Sequence, residues 1–509
     1  MRVLMLGWEF PPHISGGLGT ACFGLTQGLA HHGVEVLFVV PRSFGDEDTR
    51  FVSLVGADQV PVRRVQRETE RAETVRAAWS KLPDAVRTSA EGIDVLLAEA
   101  GARDPALRER LARAFELVAI DSPLRPYLDD AEYEQSLDLL AEAGIEPAVG
   151  AVAARAVAAR VVRTAGTVGA PELVPGGAHL ERFPSIEELV RESTREQRFV
   201  FRGAYGPDLF AEVARYALVV GEIARRERFD VIHAHDWMTY PAALVAKAIT
   251  GRPLVLHMHA CEYDRSGEAV DPRIRDLEQA GFDGADRIAC VSHYTANTLK
   301  RFYRVDKARL RVVHNAVTHR EAAAVLHEEK AIPEPIVLFL GRITFQKGPD
   351  YFIDAAARVI QVEPRVKFVM SGSGDMLPRM IERAARKGLA RHMHFTGFLR
   401  GREVERMYAM ADIYVMPSVS EPFGISPLEA MALDTPVIVS RQSGVSEVLA
   451  NALKVDFWDV DGMANKILAL LRYDALSQQL VEDGREEISR LRWDTQGALM
   501  KQVYQELVA

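Results

Sequence analysis

The stretch Met416-Pro-Ser-Val-Ser-Glu-Pro-Phe-Gly-Ile-Ser-Pro-Leu-Glu-Ala-Met-Ala432 predicts how the second half of this chain folds. The apolar residues 413–415 before it are typical of a buried strand, and the stretch ends inside a helix. Serine, proline and glycine residues between them predict a turn, and Pro427 suits the first turn of the helix. The backbone N–H groups of a helix start attract phosphates. The carboxylates of Glu421 and Glu429 accept hydrogen bonds from sugar hydroxyls. The pattern therefore predicts a sugar-phosphate site after a parallel strand.

Glu421 and Glu429 lie eight positions apart with Pro-Phe-Gly between them. This arrangement resembles the E-x7-E signature of the retaining nucleotide-sugar glycosyltransferases of family 4. That family and the related glycogen and starch synthases share the GT-B fold. The resemblance implies an α/β protein in which two Rossmann-like domains face each other across a cleft.

The domain boundaries are predicted from length and local composition. A chain of 509 residues is too long for one core. We expect an N-terminal domain over 1–318 with an Ala-, Arg- and Glu-rich helical insertion at about 46–202. A nucleotide-sugar-binding domain follows over 319–494, with a linker at its start (His319–Ile332). By the resemblance, a C-terminal helix over 495–509 crosses back to the first domain, with Leu499, Val503, Tyr504 and Leu507 on one face.

The first βαβ unit carries a glycine loop, Gly16-Gly17-Leu18-Gly19. A nicotinamide-binding domain is the competing interpretation. It is disfavoured because the glycines come too long after the strand and the second strand ends in Pro41-Arg42 instead of an acid. By the resemblance, this loop approaches the donor's diphosphate across the cleft. Glycogen synthases usually carry a lysine just before it, whereas this chain has Ser15, so the narrow label of bacterial ADP-glucose-type glycogen synthase is in doubt.

Polar residues follow two neighbouring strands of the first domain, in His233-Ala-His-Asp236 and His257-Met-His-Ala-Cys-Glu-Tyr-Asp-Arg265. Open α/β sheets place ligands at the carboxyl ends of their strands, so these residues predict a cleft wall. By the resemblance, the backbone carbonyl of His259 faces the anomeric carbon. The residues expected on the acceptor side are His235, Asp236, Glu262 and Arg265.

The second domain begins with an apolar strand that runs into Gly341-Arg342-Ile-Thr-Phe-Gln-Lys347-Gly348. Arg342 binds phosphate bidentately and Lys347 binds it as a point charge, so the pair suits a diphosphate leaving group. By the resemblance, Glu421 binds the sugar hydroxyls near C3, Glu429 binds the ribose, and a turn at Phe398 holds the base. The full set of expected donor-binding residues is Gly16, Gly17, Leu18, Gly19, Ser371, Gly372, Phe398, Leu399, Phe423, Gly424, Ile425 and Glu429.

Composition excludes several other classes of protein. A net charge of -9 argues against a general nucleic-acid binder. Cys22, Cys261 and Cys290 are widely spaced and have neither a disulfide nor a zinc pattern. The sequence has no membrane-length apolar run or signal peptide, so a cytoplasmic location is expected. Because no Asp-x-Asp string stands out as a metal signature, we expect no metal and no cofactor other than the donor itself.

The expected reaction is transfer of glucose from UDP- or ADP-glucose to a glycan such as an α-glucan, with retention of configuration. Transfer to a lipid, a small molecule or a phosphate acceptor is the alternative within the family. A non-catalytic GT-B carbohydrate-binding protein is the alternative from another class. This alternative is disfavoured because the chain keeps the charged residues expected of an active site: Arg342, Lys347, Glu421 and Glu429. A dehydrogenase is the third choice.

Overall fold

The computed structural model describes residues 1–13, 17–60, 201, 209–317 and 332–508. The described residues form two compact units. One holds residues up to Ala316 and from Arg492 onward, and the other holds Val317–Leu491. Gly16, nearly all of the predicted linker and most of the predicted insertion lie outside the described residues.

The first unit is built on a seven-stranded parallel sheet with the order β3-β2-β1-β4-β5-β6-β7. Its central strands are almost entirely buried, as expected for a parallel sheet covered on both faces, and they are apolar except for Arg2 in β1 and the histidines of β4 and β5. The strands are β1 Arg2–Leu6, β2 Glu35–Val40, β3 Ser53–Gly56, β4 Val231–His235, β5 Leu254–Met258, β6 Arg287–Cys290 and β7 Leu310–Val312. The helices are α1 Gly17–His31, α2 Leu209–Arg226, α3 Tyr240–Thr250, α4 Glu262–Ser266, α5 Pro272–Gly284 and α6 His293–Phe302.

The second unit repeats this design with a six-stranded parallel sheet of order β10-β9-β8-β11-β12-β13. The strands are β8 Ile336–Leu340, β9 Lys367–Ser371, β10 Met393–Gly397, β11 Ile413–Met416, β12 Val437–Ser440 and β13 Leu453–Val455. The helices are α7 Pro349–Val359, α8 Leu377–Arg386, α9 Arg402–Met410, α10 Ser426–Ala432, α11 Val460–Arg472 and α12 Asp474–Arg490.

In each sheet the order of the strands reverses direction at one point, where the first strand along the chain neighbours the fourth. In an open α/β sheet the ligand crevice forms at this switch point, beyond the carboxyl ends of the strands. In the second unit the switch lies between β8 and β11, which lead directly into the Arg342–Lys347 loop and the Glu421 turn. In the first unit it lies between β1 and β4, and β4 ends at His235. The topology therefore positions the predicted site residues.

The C-terminal helix, α13 Trp493–Val508, packs on α1 of the first unit. Two glycines make this contact close: a Cβ atom on Gly28 would lie 2.0 Å from the Trp493 carbonyl oxygen, and one on Gly497 would lie 2.3 Å from the Gly28 carbonyl carbon. The buried face therefore runs through Gly497, Met500 and Tyr504. The predicted face was partly wrong, because Leu499 is 39% exposed.

The predicted insertion was wrong at its start. Ser53–Gly56 lies within the range expected to be helical, but it forms β3 and pairs in parallel with β2. This strand has only four residues, Ser-Leu-Val-Gly, and only its last is buried, so it lacks the long apolar run that marks the other strands. No helix in the described part of the chain is long and apolar enough to cross a membrane.

Candidate active site

A lysine and a glutamate from the two loops at the second switch point form an ion pair. The Lys347 Nζ lies 2.5 Å from the Glu421 Oε2, and the Ser418 Oγ donates to the same oxygen at 3.1 Å. The side chains of Lys347 and Glu421 are 21% and 8% exposed, so the pair is largely shielded from water. The structure thus brings together the predicted leaving-group cation and the predicted sugar-binding carboxylate.

The two loops are held in register by backbone contacts. The Val419 N–H donates to the Gln346 carbonyl at 2.9 Å. Gly348 follows Lys347 with φ +64, and a Cβ atom there would lie 2.2 Å from the Pro417 carbonyl oxygen. Only glycine fits both the left-handed backbone and this approach. The Gly at the end of the Arg-Lys motif therefore lets its loop pack on the Glu421 turn.

A third loop supports the Glu421 turn from the side of β12. The Glu421 N–H donates to the Gln442 carbonyl at 2.9 Å, and the Glu421 carbonyl accepts from the Gly444 N–H at 2.9 Å. The Val445 N–H donates to the Phe423 carbonyl at 2.7 Å. A small cavity lies beside the ion pair, at the ends of β8 and β11. It is lined by Phe339, Leu340, Gly341, Lys347, Tyr414, Val415, Met416, Ser418, Glu421 and Ser426.

Arg342 lies close enough to Asp375 for their charges to interact. Burial raises the pKa of the Asp375 carboxyl above its ordinary value, and the positive charge of Arg342 partly opposes that rise. The loops that carry them are joined, because the Ile343 N–H donates to the Ser373 carbonyl at 2.7 Å and the Met376 N–H to the Ile343 carbonyl at 3.1 Å. The backbone beside Arg342 is therefore held against the Gly372–Asp375 loop.

Glu429, the predicted ribose ligand, lies on α10 and accepts a hydrogen bond from the Tyr408 hydroxyl at 3.3 Å. Burial and then the Glu429 carboxylate raise the pKa of Tyr408 well above its ordinary value. Tyr408 therefore keeps its proton and acts as a donor. It packs edge-on against Tyr414 with ring centroids 5.6 Å apart.

The other predicted donor-binding residues lie at strand ends and helix starts. Gly17, Leu18 and Gly19 form the first turn of α1. Ser371 ends β9 and is buried, and the Gly372 N–H donates to the Gly397 carbonyl at 2.8 Å. Phe398 follows β10 and is 42% exposed. Leu399 follows it, and Phe423, Gly424 and Ile425 lie in the turn after Glu421.

In the first unit, Asp236 positions the segment that contains His259. Its carboxylate accepts from the His259 N–H at 2.7 Å and from the Ala260 N–H at 3.4 Å. Asp236 has φ 56, and a left-handed non-glycine residue of this kind costs on the order of 1–3 kcal/mol. Such strain is typical of functional sites. The predicted acceptor-side acid and His259 are thus brought together.

His235 is buried among three other histidines: His233, His257 and His259. Burial lowers the pKa of each of these four imidazoles. At His233, His235 and His257, neighbouring imidazoles lower the pKa further. Asp236 opposes the shift at His259. All four rings are therefore neutral at neutral pH.

Glu262 and Arg265 lie in a buried ionic network. The Arg265 Nη1 lies 3.3 Å from the Glu262 Oε2 and 3.4 Å from the Glu278 Oε1, and the same guanidinium donates to the Ala260 carbonyl. Tyr303 donates to Glu278. These side chains are 0–5% exposed, and their contacts fix the segment that follows His259. Their assignment to the acceptor side stays a prediction.

Glu278 is expected to make the stability of the protein depend on pH. Burial raises the pKa of its carboxyl from the ordinary 4.5 to about 8, although Arg265 and Tyr303 oppose the rise. Between those values the folded state holds a proton that the unfolded state has lost, so stability falls as pH rises. Glu278→Gln should flatten this dependence. In urea unfolding, the loss between about pH 5 and about pH 8 should shrink by on the order of 2 kcal/mol.

The matched control is Glu268→Gln, since Glu268 is exposed in the same unit. This variant should keep the wild-type pH dependence. A Glu278→Gln protein with an unchanged slope would show that Glu278 is ionised throughout this range.

Sequence reasoning missed three residues that hold the site: Ser418, Tyr408 and Gln346. Ser418 lies within residues 416–432, three positions before Glu421, and this spacing could have predicted its hydrogen bond to Glu421. Tyr408 donates a hydrogen bond to Glu429 from the neighbouring helix α9. Gln346 accepts a hydrogen bond from the Val419 N–H through its backbone carbonyl. Those contacts depend on tertiary structure, so no local pattern marks them.

Three protein-family models match the chain. The model "Glycosyl transferases group 1" matches residues 325–487, which contain the Lys347–Glu421 pair. The model "Glycosyltransferase Family 4" matches 148–321, and "Starch synthase catalytic domain" matches 2–110. The last two extend into the predicted insertion and leave residues 111–147 between them.

Curated relatives agree with these matches. The chain is 30% identical to D-inositol 3-phosphate glycosyltransferase 2 of Catenulispora acidiphila, over 54% of this chain and 70% of that protein. It is 27% identical to a glycogen synthase of Mycobacterium tuberculosis, over 55% of this chain and 69% of that protein.

Among solved structures, sucrose-phosphate synthase from Thermosynechococcus elongatus matches with a TM-score of 0.52 and 25% identity, over 61% of this chain and 81% of that one. The matches and the two parallel sheets point to the same fold, with the lysine and glutamate pair at the switch point of the second sheet. The chain belongs to the GT-B glycosyltransferases, of the kind that includes the glycogen synthases.

Proposed function

We propose that this protein is a retaining glycosyltransferase that moves glucose from UDP- or ADP-glucose to an α-glucan. The observation that carries the proposal is the 2.5 Å contact between the Lys347 Nζ and the Glu421 Oε2, within the part matched by the group 1 transferase model. A cation for a phosphate and an acceptor for sugar hydroxyls lie side by side there. The similarity to a glycogen synthase supports the choice of acceptor.

In the proposed reaction the bond between the anomeric carbon and the phosphate oxygen breaks, and its electron pair stays on that oxygen. Lys347 and Arg342 stabilise the negative charge that develops on the leaving diphosphate. The acceptor hydroxyl oxygen forms the new bond to the anomeric carbon on the same face. Its proton passes to the departing phosphate oxygen. No protein side chain has to act as the base.

The ion pair between Lys347 and Glu421 must be replaced when the donor binds. Lys347 is already neutralised by Glu421 before the donor arrives. A diphosphate brings a stronger partner for the ammonium group, and the sugar hydroxyls bring donors for the carboxylate. Donor binding therefore exchanges one buried ion pair for two new interactions, so neither charge is left unpaired.

Transfer to a phosphorylated small molecule is the second candidate, because a relative at 30% identity is named as an inositol 3-phosphate glycosyltransferase. The experiment that separates the two measures nucleoside diphosphate release from UDP-, ADP- and GDP-glucose. Each donor is offered with glycogen, with D-inositol 3-phosphate and with no acceptor. Release that depends on glycogen supports the proposal. Release only with inositol 3-phosphate supports the second candidate, and no acceptor-dependent release contradicts both.

A further inference from the structure

Among residues that the structure describes, the histidine cluster of the first unit has unpaired ring nitrogens that the predicted acceptor-side role of His235 does not explain. His233 and His235 alternate on β4, so they project from the same face of the sheet, as does His257 on β5. The strands pair in parallel with His235 opposite His257. The ring centroids lie 4.4 Å apart for His233 and His235 and 5.2 Å apart for His235 and His257. Three imidazoles from two neighbouring strands therefore share one buried space.

The ring nitrogens of this cluster are only partly satisfied. Two hold protein partners: the His233 Nδ1 lies 2.5 Å from the Tyr504 hydroxyl, and the His235 Nδ1 lies 2.9 Å from the His259 Nε2. Within the described ranges, the Nε2 atoms of His233 and His235 and both ring nitrogens of His257 have no hydrogen-bond partner. All three residues are 0–2% exposed. A buried polar atom without a partner is unfavourable, so several together in one space call for a ligand.

We propose that His233, His235 and His257 bind one divalent transition-metal ion of the zinc class. Each offers one nitrogen, and the three atoms lie within 4.8 Å of one another. Bonds of about 2.0–2.1 Å to a tetrahedral zinc ion place ligand nitrogens roughly 3.4 Å apart, so the rings close slightly on the ion. Imidazole nitrogen suits zinc, cobalt, nickel and copper, whereas magnesium and calcium require oxygen ligands.

The surroundings of the three histidines suit metal ligands. A metal-binding histidine normally engages its second nitrogen with a further partner, as Tyr504 and His259 do here. The ligands are buried, and three protein ligands leave the fourth position of a tetrahedral ion for a small molecule such as water. Because Tyr504 belongs to α13, the ion would tie β4 and β5 to the C-terminal helix. The proposed reaction is argued from Lys347, Arg342 and Glu421 of the second unit, so metal content tests this inference separately from the reaction.

A second set, Cys22, His235 and His259, also has its ligand atoms within 4.8 Å. We favour the three-histidine set because the His259 Nε2 is already engaged in a hydrogen bond with the His235 Nδ1. The variant Cys22→Ala separates the two sets, since it should leave metal binding unchanged.

The test measures metal content of tag-free full-length protein by mass spectrometry after gel filtration. We expect about one zinc ion per chain in the wild type and less than about a tenth of that in His257→Phe. A double variant, His31→Asn with His32→Asn, removes a solvent-accessible pair near Asp494 and should retain the ion. Metal lost only in this control would mean surface binding and would overturn the proposal, as would unchanged content in His257→Phe.

A second measurement uses only the wild-type protein, so it does not depend on whether a variant folds. Wild-type protein is stripped with 1,10-phenanthroline and reloaded with Co²⁺, which gives intense visible absorption in tetrahedral sites. Appearance of these bands, with a melting temperature that falls on stripping and recovers on reloading, supports the proposal. Wild-type protein that contains no stoichiometric metal and binds no added Zn²⁺ or Co²⁺ contradicts it.

Discussion

Lys347→Ala is expected to lower kcat/KM by about 10²- to 10³-fold, which corresponds to about 3–4 kcal/mol of lost transition-state stabilisation. Charge develops on the phosphate oxygen as the glycosidic bond breaks, and Lys347 is placed by its loop to meet it. The loss should fall mainly on kcat, because the interaction strengthens as the bond breaks. The measurement is steady-state release of nucleoside diphosphate at varied donor concentration.

Lys367→Ala is the matched control. This lysine begins β9 of the same unit and donates to the Arg391 carbonyl at 2.9 Å. It should retain wild-type rates. Wild-type rates in Lys347→Ala would remove the assignment of Lys347 to the leaving group.

Glu421→Gln is expected to lower kcat/KM by about 10²-fold or more, since it removes the charged acceptor of the sugar hydroxyls. It also removes the partner of Lys347, so the two residues should not act independently. In a double-mutant cycle, Lys347→Ala combined with Glu421→Gln should cost less than the sum of the single losses. The expected coupling energy is about 1–3 kcal/mol, measured from kcat/KM values under identical conditions.

The control for this cycle pairs Lys347→Ala with Glu482→Gln, an exposed glutamate on α12 of the same unit. That pair should be additive within about 0.5 kcal/mol. Additive losses for Lys347 and Glu421 would indicate that the 2.5 Å ion pair has no part in the catalytic cycle.

The sequence predicted the strands and the switch-point loops well, because both depend on local signals. Buried parallel strands are continuous apolar runs, and the motifs around Lys347 and Glu421 follow such runs directly. The GT-B family predicted from these motifs is confirmed by the matching family models and relatives. β3 was missed because a short, half-buried edge strand leaves little trace in the sequence.

The sequence could not predict what depends on distant partners. The buried histidine cluster combines residues 24 positions apart on paired strands and a tyrosine 271 positions away from His233. The buried network of Arg265 and Glu278 looks, in sequence, like surface charge on two helices. Likewise, the buried face of α13 depends on the contact of Gly497 with Gly28. Each of these features is set by tertiary packing.

The anomeric configuration of the product, read by ¹H NMR during turnover of an α-linked nucleoside-diphosphate glucose, tests most directly whether this site transfers sugar as proposed. Retention through the Lys347–Glu421 site predicts an α-linked product that forms at the wild-type rate in Lys367→Ala and at least about 100-fold more slowly in Lys347→Ala. A β-linked product, or an α-linked product formed equally fast by both variants, would contradict it.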